Sequence, residues 1–125
     1  MSSPSATRDR YPYQNEPIWS RSDKAIARTI FDAALKRELH EIMQEVRRKA
    51  NQIDKADDLW DLERDLTQHR KDINAKYDFR SSRLTRVFGR LLFEGRVSEE
   101  ELRGLGEDKL KVVYSCAKVL SEDAA

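Results

Sequence analysis

Few side chains in this sequence have the types and spacing that catalysis or metal binding requires. His40 and Glu41 fill the first two positions of the HExxH pattern, in which two histidines on one helix face bind zinc and the glutamate polarises water. Gln44 stands where the second histidine would be, and His69 is the other histidine of the 125 residues. No glycine-rich phosphate loop or nucleophile triad is apparent either. We therefore predict no metal site, no cofactor and no enzymatic activity.

Arginines are concentrated in one segment of an otherwise balanced chain. The sequence has 24 Lys and Arg against 23 Asp and Glu, a balance that argues against a general polyanion binder. Residues 79–96 nevertheless carry five arginines and one glutamate. On a helix, four of the arginines would line one side and could bind phosphates. Alternatively, they pair with Glu99, Glu100 and Glu101 or bridge subunits, and we favour this second interpretation. These four are Arg80, Arg83, Arg86 and Arg90.

The distribution of Gly and Pro predicts an all-α protein. Residues 18–88 contain neither, and they are rich in Glu, Lys, Arg, Leu and Ala, which favours helix and leaves no turns for an antiparallel sheet. We predict two long antiparallel helices that form a hairpin, followed by two short C-terminal helices. Residues 1–17 are expected to form a disordered arm, 18–121 a single helical domain and 122–125 a disordered tail.

Apolar residues at steps of three and four predict the two long helices. The first begins near Ser20, which forms a capping-box pattern with Asp23, and runs for about 30 residues. Acidic residues at 54–58 turn the chain, and Asp57 is expected to cap the second helix. That helix is expected to continue to Gly95, although the serine pair at 81–82 lowers helix propensity and leaves a bend there open.

Two shorter helices are predicted near the C-terminus. Ser98 and Glu101 form a second capping-box pattern, and Gly104 would end the short helix that follows. Asp108 then opens a last helix of about 13 residues. Cys116 lies at helical spacing from apolar neighbours, which is typical of core packing.

Cysteine usage and hydropathy indicate the compartment. A single cysteine fits a reducing environment and excludes an internal disulfide framework. No apolar run approaches the roughly 18 residues of a membrane span, and the N-terminus has no apolar signal core. We therefore expect a cytoplasmic protein without a membrane association.

The apolar stripes of the long helices exceed what the short helices can cover. The first stripe is about 45 Å long, and we expect its remainder to pack against a second copy of the chain. We therefore predict a homodimer in the form of a dimeric helical bundle. The predicted interface consists of Leu39, Met43, Val46, Leu62, Leu66, His69 and Ile73.

Trp60 begins the second helix and cannot fully share the buried face with Leu62 and Leu66. An amphipathic side chain in this position either covers the helical turn or anchors a partner. The helical pattern alone leaves these two roles open.

Several runs of residues resemble those of a known family. Asp-Asp-Leu-Trp-Asp-Leu at 57–62, Lys-Tyr-Asp-Phe-Arg at 76–80 and Leu-Leu-Phe-Glu-Gly at 91–95 are similar to the cyanobacterial fluorescence recovery proteins, and the resemblance covers about residues 17–113. It implies small helical dimers that bind the C-terminal domain of the orange carotenoid protein. Such binding promotes return of the red active form to the orange form and ends photoprotective quenching.

The resemblance also implies a partner-contact surface. The cyanobacterial patch reads Trp-x-Leu-His-Asp, with an Arg six residues later. Trp60, Leu62 and Arg70 match this pattern, whereas Glu63 and Arg64 replace the His and the Asp. Arg64 reverses the charge of the Asp, and a reversed charge in a desolvated patch can cost several kcal/mol of binding free energy. Two protein partners therefore stay open: the orange carotenoid protein, or a different, unknown protein. A nucleic-acid role for the arginines is a further alternative. The candidate contact residues are Trp60, Glu63, Arg64, Arg70, Tyr77, Arg80 and Lys109.

Overall fold

A computed structural model of the protein describes residues 17–124, and the predicted arm lies, apart from Pro17, outside the described residues. The helices are α1 (Arg21–Asn51), α2 (Ala56–Lys76), α3 (Leu84–Phe93), α4 (Glu99–Leu102) and α5 (Glu107–Ala124), with a 3-10 turn at Arg103–Leu105 between the last two. No strand occurs within residues 17–124. The all-α prediction is confirmed.

The hairpin of α1 and α2 forms as predicted. Ser20 caps α1: its hydroxyl accepts from the Asp23 amide at 3.1 Å, and the Asp23 carboxylate accepts from the Ser20 amide at 3.0 Å. The helices run antiparallel, since Lys49 near the turn is 2.6 Å from Asp65. The expectation that Asp57 caps α2 is wrong, because the neighbouring Asp58 carboxylate reaches back and accepts from the amides of residues 54 and 55 at 3.0 and 3.2 Å.

The second helix ends at Lys76, so the predicted continuation to Gly95 is wrong. Tyr77 and Phe79 both pack edge-on against Phe31, with ring centroids 5.3 and 5.1 Å away. Side chains two residues apart diverge by about 200° on a helix but share a face in extended backbone. Both rings can therefore reach Phe31 only if the helix stops. The non-helical segment 77–83 separates α2 from α3, so three helices follow the hairpin instead of two.

A compact head contains nearly all buried side chains. It consists of the first half of α1 together with α3, α4, the 3-10 turn and α5, whereas α2 buries no residue. Cys116 is 3% exposed and belongs to this packing, as predicted. The end of the hairpin that contains the turn between α1 and α2 therefore projects from the head. The apolar core consists of Trp19, Ala27, Ile30, Phe31, Ala34, Leu84, Val87, Phe88, Leu91, Val97, Leu102, Leu105 and Val113.

The C-terminal helices follow the predicted capping signals. The Ser98 hydroxyl accepts from the Glu101 amide at 3.1 Å and begins α4. α5 has 18 residues, more than predicted, and continues to Ala124. The expectation of a disordered tail is therefore wrong for residues 122–124, because the helix that packs on α3 extends through them.

Gly89 sets the distance between α3 and α5, and we predict that Gly89→Ala destabilises the protein. A Cβ at this position would lie 2.6 Å from the Cβ of Cys116 and 3.1 Å from the carbonyl oxygen of Val113, neither of which can move without shifting the helix backbone. We expect a loss of about 1–3 kcal/mol in the free energy of unfolding, measured by urea denaturation. Gly104→Ala is the control, because its Cβ would meet only the Cγ2 methyl of Ile26, at 3.3 Å. Equal stability of Gly89→Ala and the wild type would contradict the close crossing.

Candidate protein-contact surface

The projecting part of the hairpin exposes apolar side chains on both of its helices. Leu39 and Met43, one turn apart on α1, are 41% and 48% exposed. On α2, Leu59 and Leu66 are 47% and 43% exposed. Exposed apolar side chains of this size make the projecting part of the hairpin a candidate interaction surface.

The other residues of the predicted dimer interface are half-buried within a single chain. Val46, Leu62, His69 and Ile73 have intermediate exposure. Leu62, His69 and Ile73 share the side of α2 that carries Asp65, which contacts α1. The Nε2 atom of His69 lies 3.7 Å from the carboxylate of Glu45, the neighbour of Val46 on α1. These four residues therefore face the space between the two helices, and Leu39, Met43 and Leu66 border it.

The structure groups the α2 members of the candidate contact set. Trp60, Glu63 and Arg70 follow one another at helical spacing and are all exposed. The Trp60 side chain is 56% exposed, which excludes its role as a buried cover of the turn. Arg64 lies one turn beyond Trp60 and its guanidinium donates to the Asp61 carboxylate. An aromatic side chain flanked by charges of both signs is a typical anchor for a protein partner.

The structure does not bring Tyr77, Arg80 and Lys109 to the same surface. Tyr77 directly follows the end of α2, about 25 Å from Trp60 along the helix axis. Arg80 lies three residues further on, and Lys109 is at the start of α5. The Tyr77 hydroxyl donates to Glu38 at 2.9 Å, and burial together with this carboxylate raises the pKa of Tyr77. Arg80 pairs with Asp78 at 2.6 Å, and these bonds lower the pKa of Asp78 to about 2.

Lys109 serves the fold. It is 4% exposed, and its ammonium group lies 3.0 Å from Asp23 and 3.3 Å from Asp108. Burial acts to lower the pKa of Lys109, and the bonds to the two carboxylates outweigh this effect and raise it. The same ammonium lies 5.4 Å from the centre of the Trp19 ring. Lys109 thus ties the start of α5 to the start of α1.

Four charged residues from different parts of the chain join the hairpin to the head, and we call them the ion cluster. Lys76, the last residue of α2, lies 2.7 Å from Glu38 of α1 and 2.8 Å from Glu94. Arg96 lies 3.1 Å from Glu38 and 2.9 Å from Glu94. The four side chains are 12–23% exposed. The ion cluster is not apparent from the sequence, because only Glu94 and Arg96 are close together in the chain.

The ion cluster stabilises the ionised carboxylate of Glu94. Burial acts to raise the pKa of Glu94, but the hydrogen bonds from Lys76, Arg96 and Arg90 outweigh it and lower the pKa below its ordinary value of 4.5. A carboxylate whose pKa is lower in the folded than in the unfolded chain contributes stability above the unfolded pKa. This contribution is lost as the pH falls below about 4.5.

The arginines of residues 79–96 do not pair as predicted. The expectation that they meet Glu99, Glu100 and Glu101 is wrong: Glu101 binds Arg37, at 3.0 and 2.8 Å. Arg90 instead lies 3.1 Å from Glu94, and Arg80 binds Asp78. They also do not form a stripe on one helix, because the break at 77–83 places Arg80 and Arg83 ahead of α3.

The described part of the chain contains no arrangement suited to a metal. Among residues 17–124, no three His, Cys, Asp or Glu side chains are placed to hold an ion. His40 and Gln44 lie 3.1 Å apart and form a hydrogen bond along α1. None of the helices in this range has the length and apolar content to cross a membrane.

Comparison with known proteins decides the family. The sequence model described as photoprotection regulator fluorescence recovery protein matches residues 19–117. This chain belongs to the fluorescence recovery protein family. It is 38% identical over 104 residues to the fluorescence recovery protein of Synechocystis sp. (strain ATCC 27184 / PCC 6803 / Kazusa), a match that covers 83% of this chain and 95% of the relative.

Solved structures of the family have the same fold. The fluorescence recovery protein of Fremyella diplosiphon superposes with a TM-score of 0.76 at 36% identity, covering 81% of this chain and 99% of the other. The protein from Synechocystis sp. PCC 6803 gives 0.77 at 39% identity, with the same shares covered. The resemblance of the sequence to this family is thereby confirmed.

We predict that Lys76→Met destabilises the protein by about 3 kcal/mol at pH 7. The substitution keeps the length of the side chain but removes one of the two positive charges of the ion cluster. The Glu38 and Glu94 carboxylates, both mostly buried, then repel each other with Arg96 as the remaining cation of the cluster. Lys49→Met is the matched control, since Lys49 also pairs with a carboxylate at 2.6 Å but is 31% exposed. We expect it to cost less than about 1 kcal/mol. Equal losses in urea denaturation would show that the ion cluster has no special role.

Proposed function

We propose that this chain is a non-enzymatic regulator of photoprotection that acts as a homodimer. It binds the C-terminal domain of the orange carotenoid protein in the cytoplasm and promotes return of the red active form to the orange form. Family membership over nearly the whole length of its relatives supports the regulatory role. The observation that carries the contact site is the exposed face of α2, where Trp60 and Arg70 keep the family pattern and are both exposed.

The uncovered apolar faces of the hairpin support dimerisation. α2 buries no residue within one chain, and Leu39, Met43 and Leu66 are left in contact with water. A second copy presents the same apolar faces and can cover them in a self-complementary interface. The contact face with Trp60 and Arg70 then lies at the border of the interface, where one partner molecule can reach it.

A regulator of this kind needs no chemistry. A protein that binds the compact arrangement of its partner more tightly than the open one shifts the equilibrium by the difference in binding free energy. A difference of about 1.4 kcal/mol changes that equilibrium tenfold. The aromatic side chain of Trp60 and the guanidinium of Arg70 are residue types that supply such differences in protein interfaces.

One observation favours a second candidate, the same scaffold with a different protein partner. Arg64 is 75% exposed and brings a positive charge to a position where the cyanobacterial pattern has an aspartate. Glu63 adds a negative charge nearby in place of a histidine. A partner surface complementary to the cyanobacterial patch would meet like charges here. A nucleic-acid role is less well supported, because Asp78 and Glu94 partly neutralise the arginine segment.

We predict that Trp60→Ala and Arg70→Ala each weaken binding to the C-terminal domain of the orange carotenoid protein at least tenfold. Both remove anchor groups from the contact face without touching the core. The measurements are isothermal titration with that domain and the rate of red-to-orange recovery. Arg47→Ala, an exposed change on α1, is the control and should leave both unchanged.

The pair Glu63→His and Arg64→Asp separates the two candidate partners. If the wild type binds the carotenoid protein and accelerates recovery, the proposed partner stands. If the wild type does not bind but the double variant does, the scaffold has changed its partner. Absence of binding in both proteins would reject a contact face on α2 for this partner.

We further predict a mass in solution of twice the 14.6 kDa of one chain. Leu66→Glu places a charge in the uncovered apolar face and should shift the equilibrium at micromolar concentration to single chains. Thr67→Glu adds the same charge one residue further along α2, outside this face, and should remain dimeric. Sedimentation equilibrium measures both variants. A wild-type mass of one chain would contradict the dimer.

A further inference from the structure

The hairpin carries an exposed sulfur atom in the side chain of Met43. Residues 17–124 contain two sulfur-bearing side chains: Cys116, which is 3% exposed in the head, and Met43, which is 48% exposed. The other methionine of the sequence, Met1, lies outside the described residues. A buried thiol is inert, whereas an exposed thioether is open to oxidants. Within residues 17–124, Met43 is therefore the side chain at which sulfur chemistry can take place.

The side of α1 that carries Met43 is turned away from α2. The side that faces α2 carries Glu45, whose carboxylate lies 3.7 Å from Nε2 of His69. It also carries Lys49, whose ammonium lies 2.6 Å from the carboxylate of Asp65. Met43 precedes Glu45 by two residues, which turns its side chain by about 200° around the helix axis. Packing within one chain therefore leaves Met43 in contact with water.

Met43 belongs to the uncovered apolar face of the hairpin. Leu39 lies one turn before it and is 41% exposed, and Val46 lies one turn after it and is half-buried. These neighbours extend the apolar surface from Met43 to the space between α1 and α2. In the proposed homodimer a second copy covers this surface, and a self-complementary interface takes the same residue from both chains. Each dimer then encloses two Met43 side chains.

Oxidation changes this side chain from apolar to polar. The sulfur attacks one oxygen of hydrogen peroxide, the O–O bond breaks and water leaves, so that the thioether is oxidised to a sulfoxide while the peroxide is reduced. A sulfoxide oxygen accepts hydrogen bonds, and an apolar interface offers it no donor. We propose that Met43 is a redox-sensitive modification site, where oxidation by a peroxide in the single chain weakens self-association. This inference rests on the homodimer of the proposed function.

The test uses the full chain, hydrogen peroxide as the oxidant and sedimentation equilibrium as the measurement. The untreated chain should be dimeric at micromolar concentration. Peroxide should add one oxygen atom at Met43, located by mass spectrometry of the peptides, and raise the dissociation constant of the dimer about tenfold or more. The two methionine sulfoxide reductases, which act on opposite epimers of the sulfoxide, should restore both the thioether and the dimer.

Two substitutions separate the effect of the sulfur from that of the apolar surface. Met43→Leu keeps an apolar side chain of similar volume, so it should dimerise like the wild type and stay dimeric in peroxide. It retains Met1 and Cys116 and is therefore the control for oxidation elsewhere. Met43→Gln places a polar amide at the same position and should dissociate without an oxidant.

A further measurement needs no variant. Because the dimer encloses Met43, the rate of its oxidation in the wild type should fall as the protein concentration rises through the dissociation constant of the dimer.

Several results would overturn the inference while the homodimer stands. These are a dimer that persists after complete oxidation of Met43, equal loss of the dimer in peroxide by Met43→Leu and by the wild type, and an oxidation rate that does not change with protein concentration. A wild type that is a single chain before oxidation would reject the homodimer itself, and this inference with it.

Discussion

The ion cluster of Glu38, Lys76, Glu94 and Arg96 fixes how the head sits on the hairpin. α2 contributes no buried residue to the core, so its end is held by charges at 2.7–3.1 Å and by the aromatic contacts of segment 77–83 with Phe31. Charges with so little exposure are costly unless each meets its partner in one geometry. The arrangement therefore specifies one position of α2 relative to α3.

This constraint separates two parts of the molecule with different tasks. The head holds a continuous apolar core, to which the hairpin contributes the first half of α1. The hairpin projects with apolar residues uncovered, which suits contact with a second copy and with a partner protein. Because the ion cluster lies at the junction of the head and the hairpin, it sets the direction of the projecting helices.

Periodic apolar spacing and capping residues were enough to predict the helices that form locally. Ser20 with Asp23 and Ser98 with Glu101 mark helix starts because both partners of each capping box are three residues apart. The end of α2 has no such signal. It depends on Tyr77 meeting Phe31, 46 residues earlier in the chain, and tertiary packing of this kind overrides a strong local preference for helix.

The candidate contact surface was predictable to the extent that it lies on one helix. Trp60, Glu63 and Arg70 share an exposed face of α2, and helical spacing is enough to predict that they lie together. Lys109 is also among the candidate contact residues, but it is buried and pairs with Asp23 and Asp108. The sequence does not show whether such a residue serves contact or folding. The ion cluster combines residues from several elements, and only the folded chain brings them together.

Hydrogen–deuterium exchange of the chain, alone and with the C-terminal domain of the orange carotenoid protein, tests the central claim most directly. We predict that amides of α2 around Trp60 to Arg70 become protected in the complex, while the α3 and α5 core keeps the exchange rates of the free protein. Protection confined to the head, with α2 unchanged, would contradict a contact surface on the projecting hairpin.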